Sequence, residues 1–371
     1  MMNNWSRWTP SISHVLAFVV WVSVGWGLFF SISLTTYLPS MKPSLDEATT
    51  TTRISAFSSL NYEPSHPEQF PPGTLFDPVT VPARCTQDKR RRIVDVTMIN
   101  MELSLLELRL NELWNVVDTF FIMETAIPFK PGAPLKKLHL TNHWKDFSKF
   151  HSKIQLLVLD KNVSEGAANG AFNIQNQQRD ELCRKVKEKL NPGEEDLFIW
   201  ADLDEIPRPH EVEKLACAQN GTLPETPICL KTSKDGFYYY NYRCHQTYEW
   251  TGRPAVQHYS AKFQQGGGCK SSIANASTHC SSCFDSIDEY HIKARSNSEP
   301  VRNERLQYNN ASILERVRKC KDFWLRDNLN KRMKLMPSVD FRNIPIIVSN
   351  HPERWPHLLR QGSLYDTNLT L

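Results

Sequence analysis

Neither sign of charge dominates this chain: 44 lysines and arginines face 40 aspartates and glutamates, for a formal net charge of +4. The basic residues are scattered apart from Lys89-Arg90-Arg91-Arg92. Binding a phosphate backbone needs a concentrated basic surface, so nucleic acid is not the indicated partner. Internal repeats are absent, which excludes a repeat array. No second cysteine pair lies at zinc spacing from His279-Cys280-Ser281-Ser282-Cys283, which argues against a structural zinc centre. An EF-hand counted from Asp202 also fails, because Ile206 stands where an oxygen ligand is needed and Pro207 where the sharp turn requires glycine.

Charge is missing altogether from residues 15–41, and the 20 residues from Val15 to Leu34 would span roughly 30 Å as a helix. This stretch predicts a membrane anchor at 15–34 behind a cytoplasmic tail, 1–14. Arg7 before it, with Lys42 and Arg53 only at a distance after it, favours an inside N-terminus. A cleaved signal peptide ending near Ser31-Ile32-Ser33 is the competing reading. Either way the remainder enters the secretory lumen, where Asn162, Asn220, Asn275, Asn310 and Asn368 head glycosylation sequons. All nine cysteines come after the anchor, free to pair in an oxidising space, and their odd number leaves at least one unpaired. Residues 39–82 hold eight prolines and the run Thr49-Thr50-Thr51-Thr52, which predicts a disordered stem over 35–91.

The 371 residues leave room for two average domains or one large α/β domain with appendages. Folded sequence begins near Arg92. Ile93 to Ile99 predicts a strand, and Asn100 is placed to cap a helix. Leu103, Leu106, Leu110 and Leu113 predict that helix, with Glu102, Glu107, Arg109, Asn111 and Glu112 on its other faces. Strands are expected at Val116–Met123, Ile154–Leu159 and Leu197–Ala201, with a helix from Phe172 to Leu190 between the last two and another opened by Pro209. Strand, helix, strand in about 30 residues makes a βαβ unit, so the fold class is α/β with a mostly parallel sheet. The Leu197 strand ends in Asp202-Leu203-Asp204-Glu205-Ile206-Pro207, whose proline should stop the ladder. In such sheets ligands bind at the carboxyl ends of strands, where Asp202 and Asp204 can share one hard cation. Phe237 to Tyr242, with Tyr248 and Trp250, form either an aromatic core or a platform for sugar rings. Gln264 to Gly268 predicts a flexible loop able to close over a ligand.

Several stretches together resemble the glycosyltransferases that add a bisecting N-acetylglucosamine to the core mannose of N-glycans. They are Asn100-Met101-Glu102-Leu103 with Glu107 to Leu113, Val117 to Glu124, Lys149 to Ile154, Gln178-Arg179-Asp180, Asp202 to Pro207, His279 to Phe284 and Asn350 to Trp355. The resemblance implies a GT-A type catalytic domain over 92–360 and a tail, 361–371. It implies a UDP-N-acetylglucosamine donor, manganese, inversion to a β-linked product on a glycan acceptor, and a Golgi membrane protein of type II topology. Ser277-Thr278 stands where the family carries Gly-Trp, a departure that bears on the acceptor.

On this reading Asp202, Asp204 and His279 hold the metal, with Glu205 orienting them. Asn100, Glu102 and Glu124 sit on the same rim and touch ribose, base or sugar. Arg179 and Asp180 suit a diphosphate and a ribose hydroxyl. Inversion needs a base for the acceptor hydroxyl, and the acids within reach are Asp235, Glu249, Asp285, Asp288 and Glu289, with Glu289 favoured. A tethered glycan-binding protein without turnover, and a transferase of a different UDP-sugar, are the alternatives.

Overall fold

The computed structural model describes residues 73–359 apart from 78, 131–132, 160–170, 194–195, 219–222, 225, 248–253, 259–268 and 297–307. The chain divides at Leu60 into two units, and every described residue lies in the second. The expected anchor, both tails, most of the stem, the glycine-rich loop, Tyr248, Glu249 and Trp250 lie outside the described residues. Among those residues no helix is long and apolar enough to cross a membrane.

The core is a parallel sheet of four strands in the order β4 (Leu197–Trp200), β1 (Ile93–Ile99), β2 (Thr119–Thr125), β3 (Ile154–Leu159). Alternate residues face opposite layers, which is why the central strands are apolar on both sides. Ile93, Ile99, Phe120, Ile122, Leu197 and Ile199 pack with helix α1 (Leu103–Leu113), while Val94, Val96, Phe121, Met123, Phe198 and Trp200 pack with Leu182, Cys183 and Val186 of helix α2 (Ala171–Lys189). The chain runs outward through β1, β2 and β3 and then returns to place β4 on the other side of β1. That reversal is a topological switch point, the position where such sheets open a crevice at their carboxyl edge.

Outside this core the one parallel ladder among the described residues joins β6 (Ile228–Tyr239) to β9 (Ser271–Ser281). Beyond β4 the sheet continues through β8 (Ala255–His258), β6 (Ile228–Tyr239), β7 (Asn241–Gln246) and β10 (Met333–Leu335), all antiparallel to their neighbours on this path. Pro207 does not end pairing either. After the acid turn, β5 (Glu205–Pro207) forms an antiparallel ladder with β9 (Ser271–Ser281). β9 pairs with β6 on its other side, so β5 is an edge strand, where a missing N–H is tolerated.

Helix α1 departs most from its sequence pattern. A stripe of leucines predicts one buried face, yet every residue of the helix is buried, because other segments cover the outer face. Each polar residue there has a specific partner. Glu107 takes a bidentate pair from Arg354 (2.7 Å twice) and the Gly73 N–H (2.9 Å). Asn111 binds the Phe76 N–H and the Thr74 carbonyl, both at 2.9 Å. Glu112 accepts the Ile346 and Ile347 N–H groups at 3.1 and 2.9 Å, at the start of the short helix Ile346–Asn350. Phe76 packs against His351 and Trp355. Residues from Gly73 onward, within the expected stem, are therefore already part of the folded chain upstream of Arg92. Gly73 itself has φ +74, and a Cβ there would fall 2.1 Å from the Asp146 carbonyl oxygen, so only glycine fits.

Disulfides Cys85–Cys217, Cys229–Cys269, Cys244–Cys320 and Cys280–Cys283 form, and the ninth cysteine, Cys183, is buried in the core on the α2 side of the sheet. The first ties the upstream segment to the end of helix α3 (Pro209–Ala216) across 132 residues, a closure that stabilises by about 5 kcal/mol in the chain-entropy model. The three arginines of the basic run are engaged in folding: Arg90 pairs with Asp118 and Glu213, Arg91 donates to the Ala218 carbonyl, and Arg92 pairs with Asp196.

The surroundings of α1 have two measurable consequences. Arg354→Met strands the buried Glu107 carboxylate and should destabilise the fold by about 3–5 kcal/mol, read as a lower denaturant midpoint. Glu112 is pushed up to about 7 by burial, against the lowering pull of the Ile347 and Ile346 N–H groups and Arg208. Its folded value lies above the ordinary 4.5, so the stability it contributes is present below that value and lost as pH rises through 7. Wild type should gain on Glu112→Gln by up to roughly 3 kcal/mol between pH 8 and pH 4.5 in urea titrations; parallel pH profiles would refute this.

Candidate active site

The carboxyl end of β4 turns through Asp202-Leu203-Asp204. The turn is closed on itself, with the Glu205 N–H donating to the Asp202 carbonyl (3.0 Å) and the Glu205 carboxylate accepting the Asp202 N–H (3.1 Å). Beneath it lies Arg109, whose Nη1 donates to the carbonyls of Glu205 (2.7 Å) and Asp202 (3.3 Å). The rest of that guanidinium holds Asp95 of β1 through Nε and Nη2, at 2.8 and 2.7 Å. Glu205 is thus a buried positioning group turned toward the turn's own backbone.

β9 brings His279 to this turn. His279 is opposite Glu205 in the ladder, and the Cys280 N–H donates to the Asp204 carbonyl at 3.0 Å. His279 Nε2 stands 3.5 Å from Asp204 Oδ2. The Phe237 ring lies flat on the imidazole, centroids 4.5 Å apart and planes within 9°. Phe237 to Tyr242 are all buried. They orient the histidine and fill the core, and the sugar-platform reading fails for them. Burial pushes the Asp204 carboxyl up, but His279 and then Lys293 outweigh it and hold the group below its ordinary value.

Asp202 points elsewhere. Both its oxygens meet Arg179 Nη2 of α2, at 2.6 and 2.8 Å. Side-chain exposure falls from 42% at Asp202 to 24% at Asp204 and 9% at His279. The three expected metal ligands therefore divide into an Asp204–His279 pair and an Asp202 engaged by a cation. Asp180, next to Arg179, is exposed.

Across the switch point, Glu102 and not Asn100 holds the N-cap position of α1, and its side chain makes no hydrogen bond into the helix. Its Oε2 accepts the Asn100 and Met101 N–H groups at 3.0 and 2.9 Å. Asn100 Nδ2 donates to Ser296 Oγ (3.2 Å), and its Oδ1 is buried with no hydrogen-bond partner among the described residues. Glu124 does not face open space. Fully buried, it accepts the Leu140 and Thr141 N–H groups and the Thr141 hydroxyl at 2.8–2.9 Å, and so starts the helix His139–Asn142.

Helix α4 (Ile287–Ser296) comes after the Cys280–Cys283 bridge and closes the rim. Ser286 Oγ accepts the Glu289 N–H (3.4 Å) while Glu289 Oε2 reaches back to the Asp285 N–H (3.0 Å), one residue beyond the partner a capping box would use. Glu289 Oε1 has no hydrogen-bond partner among the described residues. Burial, then Asp285 and Glu102, push the Glu289 carboxyl well up. Asp288 is half-buried on the same turn, and Asp235 is exposed in β6.

The sequence placed Arg109 on a polar helix face without a role in the site, and gave Asp95, Lys136, Lys293 and Ser296 none. Asp95 carried a signal: an acid inside an apolar strand needs a buried partner. Lys136 had none, because nothing local shows which strand end it meets.

An open sheet with a polar turn at its switch point is the layout of a ligand-binding α/β enzyme. Residues 80–363 match the model of glycosyltransferase family 17, and the chain belongs to that family. It is thus a glycosyltransferase, which takes a sugar from a donor and passes it to an acceptor. No curated protein gives a significant match.

Arg179→Ala should move the thermal midpoint little, because a partly exposed ion pair contributes about 1 kcal/mol or less; a large drop in the midpoint on thermal unfolding would make the Arg179–Asp202 pair a structural one.

Proposed function

We propose that this glycosyltransferase is a GT-A type inverting enzyme that moves N-acetylglucosamine from UDP-N-acetylglucosamine to a mannose of an N-glycan in β linkage. The observation that carries the reading is the Asp204–His279 pair, 3.5 Å apart, at the switch point of the sheet. It lies beside Asp202, where Arg179 is poised. Such an edge suits a nucleotide diphosphate, and family membership supplies the sugar chemistry.

A carboxylate beside an imidazole fits a divalent ion such as manganese. Asp204 and His279 would hold it, and Asp202 joins them only by leaving Arg179. Among the described residues no three His, Cys, Asp or Glu side chains stand close enough to enclose an ion. When bound, the ion neutralises charge on the departing diphosphate. The chain's own residues do the rest. Arg109 and Glu205 fix the turn so that Asp204 needs no reorganisation, and Arg179 exchanges Asp202 for phosphate oxygens. In the inverting step the acceptor oxygen bonds to the anomeric carbon, the bond from that carbon to the phosphate oxygen breaks, and the hydroxyl proton passes to a base. Glu289 is the proposed base: its Oε1 has no hydrogen-bond partner among the described residues, and burial and Asp285 raise the proton affinity of its carboxylate, which acts in its deprotonated form. Asn100 and Glu102 are proposed to line the nucleoside side, and Asp180 the ribose. The Ser277 and Thr278 hydroxyls, which donate to the Leu230 and Asn343 carbonyls, brace β9 where the family's Gly-Trp would stand.

Residues 15–34 are proposed as the anchor of a Golgi type II membrane protein with its catalytic domain luminal. Four disulfides and the exposed sequon asparagines Asn275 and Asn310 support that compartment.

Incubation of the full chain with manganese, a glycan acceptor and a panel of nucleotide sugars should release UDP fastest from UDP-N-acetylglucosamine. Asp204→Asn should cut that release by at least about a hundredfold with near-normal thermal stability. Binding of glycan without any UDP release would favour the non-catalytic alternative, and equal rates in wild type and Asp204→Asn would reject the proposed role of the pair.

A further inference from the structure

Between β2 and the helix His139–Asn142 the chain passes Lys136, which has no part in the proposed reaction. Its backbone N–H donates to the Ala126 carbonyl (2.9 Å), and its Nζ donates to the Asn100 carbonyl (3.1 Å). The half-buried ammonium is thus pinned at the carboxyl edge of β1. Glu102 and Glu124 are the acids whose fields reach it. Both are occupied: Glu102 Oε2 by the Asn100 and Met101 N–H groups, Glu124 by Leu140 and Thr141. Among the described residues no carboxylate lies within ion-pair distance of Lys136, and the Asn100 carbonyl is its one hydrogen-bond acceptor. Burial lowers the ammonium to about 8, against the raising pull of Glu124 and Glu102. A cation desolvated to that degree with N–H donors to spare is poised for an anion.

The place of Lys136 on the sheet says which anion. β1 and β4 are neighbours, with Val96 paired to Trp200, so Asn100 and Asp204 leave the same edge on strands about 5 Å apart. Ser296 of α4 holds the Asn100 side chain, and Lys293 of the same helix acts on Asp204. Lys136 therefore shares one rim with the Asp204–His279 pair, from the opposite flank to Arg179. Arg179 is already opposed by Asp202; Lys136 brings a charge that no described carboxylate offsets by direct contact.

We infer that Lys136 is a second cationic contact of the donor's diphosphate, gripping phosphate oxygens from the β1–β2 side while Arg179 approaches from the other. The inference rests on the proposed nucleotide-sugar reading. Its test separates the two. UDP and uridine are titrated, with manganese constant, into the full chain and into Lys136→Met and Lys136→Arg, with thermal midpoints recorded alongside. Lys136→Met should bind UDP at least about tenfold more weakly, bind uridine as wild type does, and keep its midpoint; Lys136→Arg should recover most of the UDP affinity. Unchanged UDP affinity in Lys136→Met overturns the inference. So does an equal loss for UDP and uridine, which would make Lys136 a brace for Asn100. If Lys136→Met does not fold, Lys136→Arg and Lys136→Gln carry the comparison, and equal UDP affinity in those two again overturns it. Wild type that binds neither UDP nor uridine would fail the nucleotide-sugar reading itself.

Discussion

The Arg109 guanidinium is the contact on which the rest of the site depends. It is fully buried, and a buried ion persists only where its partners are complete. Asp95 supplies the opposite charge from the middle of β1, and the carbonyls of Glu205 and Asp202 accept from Nη1. One side chain thereby ties the central strand, the helix behind it and the backbone of the acid turn. The carboxylates at the end of β4 are held by the core itself, not by a surface loop free to wander.

The same helix carries a second set of bonds on its far side. Glu107, Asn111 and Glu112 receive the segment after Gly73 and the segment from Ile346 to Trp355, so both ends of the folded chain close around α1. Polar residues placed all round a helix normally mean solvent. Here each is matched by a fixed partner, and a missing partner would leave a buried charge or amide unsatisfied. The Arg354 stretch, which reads in sequence like part of a binding motif, is a clamp on this helix.

At the rim, α4 joins the two flanks of the switch point. Lys293 acts on Asp204, Ser296 holds Asn100, and Glu289 ties the Asp285 N–H to the first turn. The Cys280–Cys283 bridge sits between His279 and this helix, while the Phe237 ring sets the imidazole plane. A disulfide, a stacked ring and a helix cap thus position groups that no single element could align, which is the preorganisation a charge-developing reaction requires.

Much of this protein is legible along the chain because the causes are local. Apolar runs marked β1, β3 and β4 nearly to the residue, and Pro209 opened its helix. Asp202, Asp204, His279 and Arg179 were nominated by type and order, and the fold brings them to one edge. Tertiary structure alone decided how they pair. Asp202 turns to Arg179 because a helix ending 13 residues upstream presents a cation there, and Asp204 meets His279 because β5 and β9 share a ladder across more than 60 intervening residues. The antiparallel half of the sheet, the burial of α1 on every side and the arrival of Lys136 at Asn100 were equally out of reach. Periodicity reports which residues face away from water, but not which distant segment excludes it, and a side chain's partner is fixed only when both strands are in register.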